Sequence, residues 1–273
     1  MTPGLDSVAR GLLVFLGIVL VFMLLPIAFV FVYAFSSVSY AVFPPPGFSA
    51  RWFVKLLGQQ DLWQAAGHSL IVAAAVVVVS LVCGTLAAVA LVRYRYRGRE
   101  VLRAAFLAPL VVPRIAFGVG MLVYVVVLHR FGGLDSLILA HAALTLPFAV
   151  SILSASLVRA DRALEEAAMD LGATPVGAFI RVTLPQLRTG LAVSAFFSFI
   201  VSWDQVESSL FLVKPDNMTL PVAMFLYILR QYDPVIAAIS AVQVALAFLV
   251  GVVFVVLARP GRLAEAFRGP IRP

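Results

Sequence analysis

The sequence is poor in charge, in cysteine and in lysine, and each shortage excludes something. Charged residues make up 12% of its 273 residues, against about 25% in soluble globular domains, too few to cover a water-exposed globule. A single cysteine, Cys83, excludes a disulfide framework and a cysteine-ligated metal cluster. Lysine occurs only at Lys55 and Lys214, each after a valine rather than the glycine a P-loop requires. The three histidines, His68, His129 and His141, show no metal-ligand spacing. Against these absences stand a hydrophobic content of 63% and a mean hydropathy of +1.06. Together they exclude disorder and an ordinary soluble enzyme, and leave a chain whose solvent is mostly lipid.

Six stretches reach the roughly 20 apolar residues that a spanning helix needs: residues 11–35, 69–92, 104–128, 136–158, 189–213 and 234–258. They are too long for barrel strands. The expected fold is an all-α membrane protein with six transmembrane helices in one domain, residues 1–273. The first stretch exceeds a signal-peptide core and reads as an uncleaved helix. Six spans put both ends on one side. Fourteen arginines fall on that side, the densest group being Arg93, Arg95, Arg97, Arg99 and Arg103, against five basic residues opposite. This asymmetry predicts cytoplasmic termini and accounts for the net charge of +7 without a nucleic-acid partner. In the outer segment 36–68, Pro44, Pro45 and Pro46 predict extended chain. A short interfacial helix over 49–57 follows, with Trp52 and Phe53 at headgroup level.

The cytoplasmic loop 159–188 has internal design. Leu164, Ala167, Ala168 and Leu171 recur at helical spacing, with Glu165, Glu166 and Asp170 mostly off that face. Gly172 falls where a helix closes with a left-handed residue. Thr174-Pro175 reads as an N-cap with proline at the first helical position. Val176, Phe179, Ile180 and Val182 form a second apolar face, which Leu184-Pro185 is expected to end. Two short amphipathic helices outside the bilayer must bury their apolar faces on the protein's own spans, in the headgroup layer, or on another protein.

The run Glu166-Ala167-Ala168, three residues, Gly172, nine residues, Val182, Thr183, Leu184, Pro185 resembles the EAA motif of ABC importer permeases, the membrane subunits of binding-protein-dependent transporters. Val182 stands where the motif has isoleucine. Phe48–Phe53, the stretch from Pro109 to Gly118, Trp203–Val206 and Thr219–Val222 are similar to the spermidine/putrescine-type branch. The resemblance implies a type I importer permease in the bacterial inner membrane, not an enzyme and without a cofactor of its own. It implies ATP and magnesium on a partner ATPase dimer, a second homologous permease, more often a different chain than a second copy, and an extracytoplasmic solute-binding protein. It implies ATPase coupling through Glu165, Glu166, Ala167, Ala168, Asp170, Gly172, Val182, Leu184 and Pro185. A polyamine or related small organic solute is the implied cargo.

Polar groups at membrane depth suggest a path. Ser194, Ser198 and Ser202 repeat every fourth residue and lead to Trp203, Asp204 and Glu207. Asp204 and Glu207, three apart, are expected on one helical face. The serines suit either a path or a helix–helix seam, the path being preferred. Arg114 departs from the polyamine branch, which often has an acid there. Pairing with Asp204 and contact with an anionic carboxylate or phosphonate solute both remain open. Tyr227, Arg230, Tyr232 and Asp233 form an outer cluster that suits a gate, a binding-protein contact or an interfacial belt. An autonomous secondary transporter and a membrane enzyme are the competing classes. Neither explains the motif-bearing loop, the spans show no inverted repeat, and the enzyme lacks convergent catalytic groups.

Overall fold

The computed structural model describes residues 3–40, 42–231 and 233–258. Twelve α-helices occur among them: α1 (Pro3–Ala34), α2 (Arg51–Leu57), α3 (Gln60–Arg93), α4 (Arg99–Leu107), α5 (Arg114–Val127), α6 (Leu134–Arg159), α7 (Arg162–Asp170), α8 (Pro175–Ala178), α9 (Leu184–Gln186), α10 (Arg188–Trp203), α11 (Leu220–Arg230) and α12 (Val235–Ala258). Within α1, α3, α6 and α12 lie four stretches long and apolar enough to cross a membrane; counting two bent pairs as one span each gives up to six. By Cα packing the chain divides into two compact units. One holds the residues up to Gln60 with Leu226–Leu246, the other Asp61–Phe225 with the residues from Ala247 on.

Two of the expected continuous spans are broken. The span expected over 104–128 bends by 109° between α4 and α5. Pro109 sits in a 3-10 turn, and Pro113 takes extended backbone (ψ 131°) as the N-cap of α5. Two prolines withhold two backbone donors within five residues, so one helix cannot run through. The span expected over 189–213 ends at Trp203. Asp204 to Thr219 is irregular chain with one short 3-10 turn, Ser209–Phe211. Here side chains and short turns replace helical bonds: Ser209 Oγ donates to the Gln205 carbonyl (3.0 Å), and Asn217 accepts from the Lys214 amide while donating to Gly132 O (3.0 Å). Non-helical chain at membrane depth is tolerated only where protein satisfies it.

The larger unit is organised around α6. Along α3 the buried positions Leu62, Ala65, Ser69, Val72, Val76, Ser80, Gly84, Ala87 and Leu91 recur every three or four residues, one continuous stripe. Gly84 allows close approach, since a Cβ there would lie 2.8 Å from Ala149 Cβ. Ser80 and Thr145 share a hydrogen bond of 2.7 Å across the same seam. Packed on α6 as well, α10 buries Ser194, Ser198 and Ser202. Ser202 Oγ shares a hydrogen bond of 2.9 Å with His141 of α6, so this end of the serine repeat faces the α10–α6 seam. Small polar residues serve there because they let backbones approach.

In the smaller unit, the segment after α1 folds back through an antiparallel bridge between Ser36 and Phe48. Ser37 N donates to Gly47 O (2.9 Å) and Ser49 N to Phe35 O (2.7 Å). The proline run carries no helix, as expected. Trp52 differs from expectation: it is buried, and its indole nitrogen donates to Ser36 O at 2.7 Å. The ring pins the outer loop instead of facing headgroups, because an indole N–H in an apolar setting must find an acceptor.

Candidate functional site

The loop 159–188 forms the helix, glycine turn and second helix that its pattern predicts. Asp161 caps α7, its carboxylate accepting from Ala163 N at 2.9 Å. Gly172 adopts φ +94°, the left-handed region that disfavours side chains. Thr174 caps α8 by accepting from Gly177 N at 3.1 Å, and Pro175 follows at the first helical position. Leu184-Pro185 does not end the element as expected. A π-helical turn, Phe179–Thr183, carries the chain into α9, and the 73° bend to α10 comes afterwards at Leu187. The wider turn accommodates a proline that lacks an N–H. Val182 lies in that turn, and its carbonyl accepts from Gln186 Nε2 at 3.2 Å.

α7 and the residue after it leave apolar side chains bare beside exposed charged ones. Leu171 is 91% and Leu164 53% exposed, with Met169 and Ala167 also exposed. Glu166 is exposed and paired along the helix with Arg162 at 2.9 Å. Asp170, Gly172 and Pro185 are exposed as well, while Ala168 and Leu184 are half-buried. Glu165, grouped by sequence with the outward residues, turns inward. Its Oε2 accepts from Arg93 at the end of α3 (2.9 Å) and from the Thr183 hydroxyl. The two charged side chains are only 15% and 16% exposed, so a carboxylate here would be left uncompensated without the guanidinium. This clamp ties α7 both to a spanning helix and to the returning chain. No spacing rule marks it, because Arg93 and Glu165 are 72 residues apart.

The second cluster sits at the break after α10. The helix has ended at Asp204, so Asp204 and Glu207 do not share a helical face. Arg114 pairs with Glu207 (Nη1 to Oε2, 3.7 Å) rather than with Asp204. Asp204 is exposed and feels the charge of both. Gln205 Nε2 steadies Glu207 at 3.2 Å. Gly118 of α5 makes the approach possible: a Cβ there would lie 2.8 Å from Ser208 Cα and from Phe211. Trp203, expected beside the path, is buried and stacked on Phe199 with 5.6 Å between ring centres. Ser198 and Ser202 are buried too. His141, one of the three histidines without metal-ligand spacing, bridges Ser202 (2.9 Å) and Ser209 (2.8 Å) and so anchors the irregular segment to α6.

The third cluster belongs to the smaller unit. Asp233 accepts from Lys55 at 2.5 Å, from the Tyr227 hydroxyl at 3.2 Å and from Val235 N at 3.1 Å. Burial, and then the adjacent Asp233 carboxylate, push the Tyr227 phenol up to about 12. Arg230 is exposed. Tyr232 lies outside the described residues. Among the described residues no group of three His, Cys, Asp or Glu side chains is placed to hold a metal.

The family model for the binding-protein-dependent transport system inner membrane component matches residues 80–260. The chain belongs to this family. It is thus a permease subunit of an ABC importer, a multi-pass inner-membrane protein and not itself an enzyme. The permease is 32% identical over 256 residues to the putrescine transport system permease protein PotI of Escherichia coli K12, covering 91% of this chain and 90% of PotI. It is 28% identical over 245 residues to the spermidine/putrescine transport system permease protein PotC of the same strain, covering 90% and 92%. To the putative 2-aminoethylphosphonate transport system permease protein PhnV of Salmonella typhimurium it is 30% identical over 232 residues, covering 84% and 87%. In fold it resembles a chain of a bacterial ABC transporter for the acidic polysaccharide alginate, with TM-score 0.72, 19% identity, and 93% and 97% of the two chains covered.

Proposed function

We propose that the permease forms half of the translocation path of a polyamine importer and couples to its ATPase through the loop 159–188. The bare apolar side chains at α7 carry this reading. Leu164 and Leu171 are left bare while Glu165, on the same helix, is locked inward. A rigid helix with unburied apolar side chains is built to dock, and Ala167 allows a close partner. The whole chain acts as a single permease domain with cytoplasmic ends. Two ATPase subunits bind ATP and magnesium, a second homologous permease completes the path, and an extracytoplasmic binding protein delivers the solute. Tyr227, Arg230, Tyr232 and Asp233 serve at the outer gate or the binding-protein contact.

The cluster at the break supports a cationic cargo. Glu207 neutralises Arg114, and exposed Asp204 leaves a net charge of −1 among the three. The second reading, an anionic solute such as the aminoethylphosphonate named for PhnV, rests on the half-exposed Arg114 guanidinium. The deciding experiment purifies the tagged chain from native membranes and assays bound ATPase and putrescine-dependent uptake. ATPase should co-purify with the wild type and be lost with Leu171→Arg. A chain that purifies alone, or an unaffected L171R, overturns the coupling reading. No putrescine uptake by the wild type, or wild-type uptake of a phosphonate that Arg114→Gln abolishes, overturns the cargo.

A further inference from the structure

Behind the arginine-rich turn between α3 and α4 lies a cavity of about 420 Å³ that none of the three clusters above uses. The ends of α3 and α4 and the last turns of α6 wall it, with Leu91, Leu107, Val150 and Val158 supplying apolar surface. Four polar side chains break that surface, Arg99, Arg103, Ser151 and Ser154, of which the Ser151 hydroxyl is engaged with Pro147 O at 2.7 Å. Arg99 lines the cavity, and its Nε is buried with no acceptor. Ser154 lines it too, and its hydroxyl is likewise buried and unpartnered. Among the described residues no carboxylate lies within ion-pair range of Arg99. The nearby Glu100 is engaged with Arg103 at 3.8 Å, and Arg103 reaches the same cavity.

A guanidinium with a buried, unsatisfied donor is expensive unless an anion completes it. The neighbours restrict that anion. Apolar walls on three helices exclude a bare hydrated ion and favour a group with a hydrocarbon tail. The charge and the free hydroxyl require several acceptor oxygens, as a phosphate diester offers. A basic pocket between spanning helices, close to their ends, is the physical setting in which lipid headgroups are held. We infer that this cavity is a binding site for an anionic phospholipid. Its phosphate is held by Arg99 and Ser154, with Arg103 at the rim, and an acyl chain lies along Leu91, Leu107 and Val158. A bound lipid would also brace α4 against α6, one turn of chain away from the Arg93 clamp.

The test uses the full-length chain, purified in mild detergent with the subunits it retains. The readout is lipid remaining per protein, by mass spectrometry, after exchange into detergent containing equal phosphatidylglycerol and phosphatidylcholine. Wild type should retain phosphatidylglycerol preferentially. Arg99→Gln should lower that retention about tenfold, as loss of a charge-assisted bond implies. Arg97→Gln, at an exposed position outside the cavity, should leave it unchanged. Ser154→Leu, which removes the hydroxyl and narrows the cavity while keeping Arg99, should also lower retention, so the proposal stays testable should Arg99→Gln fail to insert. Equal retention of the two lipids by wild type overturns headgroup recognition. Undiminished phosphatidylglycerol on either variant overturns the site. Displacement of the lipid by millimolar inorganic phosphate overturns the lipid in favour of a soluble anion.

Discussion

Replacing Glu165 by leucine removes the carboxylate that holds α7 to the membrane part of the permease. The Arg93–Glu165 pair keeps only about a sixth of its side-chain surface wet. Breaking a buried pair from one side costs about 3–5 kcal/mol, and this pair belongs at the low end, about 3 kcal/mol. The buried Thr183 hydroxyl loses its acceptor as well, adding about 1 kcal/mol. A loss of this size lowers the equilibrium constant for docking α7 on the order of a thousandfold, at about 1.4 kcal/mol per factor of ten. Two assays read it. Tryptic cleavage at the exposed Arg162 and Arg181 in inside-out vesicles should accelerate at least tenfold, and solute uptake should fall to near background with the protein still inserted. Arg93→Leu together with Glu165→Leu should recover part of both, since an apolar pair of similar volume replaces an ion pair at little cost. Recovery stays partial because Thr183 remains unpaired. Wild-type cleavage and uptake in the single variant, or a double variant no better than the single one, would refute the clamp.

Three further substitutions separate strain, packing and polar satisfaction. Gly172→Val meets nothing within 4 Å, so its cost is purely conformational at φ +94°, about 1–2 kcal/mol; uptake should drop with membrane insertion intact, and wild-type uptake would count against the loop's role. Gly84→Val drives a side chain into Ala149 on α6; overpacking of about 1–3 kcal/mol should show as a lower thermal unfolding midpoint, checked by fluorescence-detected size exclusion after heating. His141→Ala strands the buried Ser202 hydroxyl, a cost of about 1–3 kcal/mol. Uptake and thermal stability should fall together, whereas His141→Asn should recover some of each by restoring one bond.

Much of the architecture was legible in the residues because the bilayer imposes a crude rule: about twenty apolar residues, every backbone group satisfied within the segment. That rule located α1, α3, α6 and α12 from composition alone. The loop pattern was legible for a different reason. Caps, a left-handed glycine and proline at the first helical position are local requirements, met or violated within a few residues, and Asp161, Gly172, Thr174 and Pro175 take the places their chemistry demands. Where local rules compete, the sequence misled. Leu184-Pro185 looked like a stop, yet a π turn absorbed it. The span over 189–213 looked continuous because its hydropathy averages over polar residues that in fact break the helix at Trp203.

What the sequence determined by itself, then, is the solvent, the helical class, four of the spanning segments and the motif-bearing loop, since each depends on neighbours along the chain. Tertiary structure alone decided which polar groups meet. It buried the serine repeat and bonded Ser202 to His141 of α6, gave Arg114 to Glu207 rather than Asp204, and turned Glu165 inward to Arg93. Those outcomes depend on partners tens of residues away, and on the high cost of leaving a charge or hydroxyl unpaired where water is excluded. Periodicity can put a polar residue on a face, but only packing decides what that face meets.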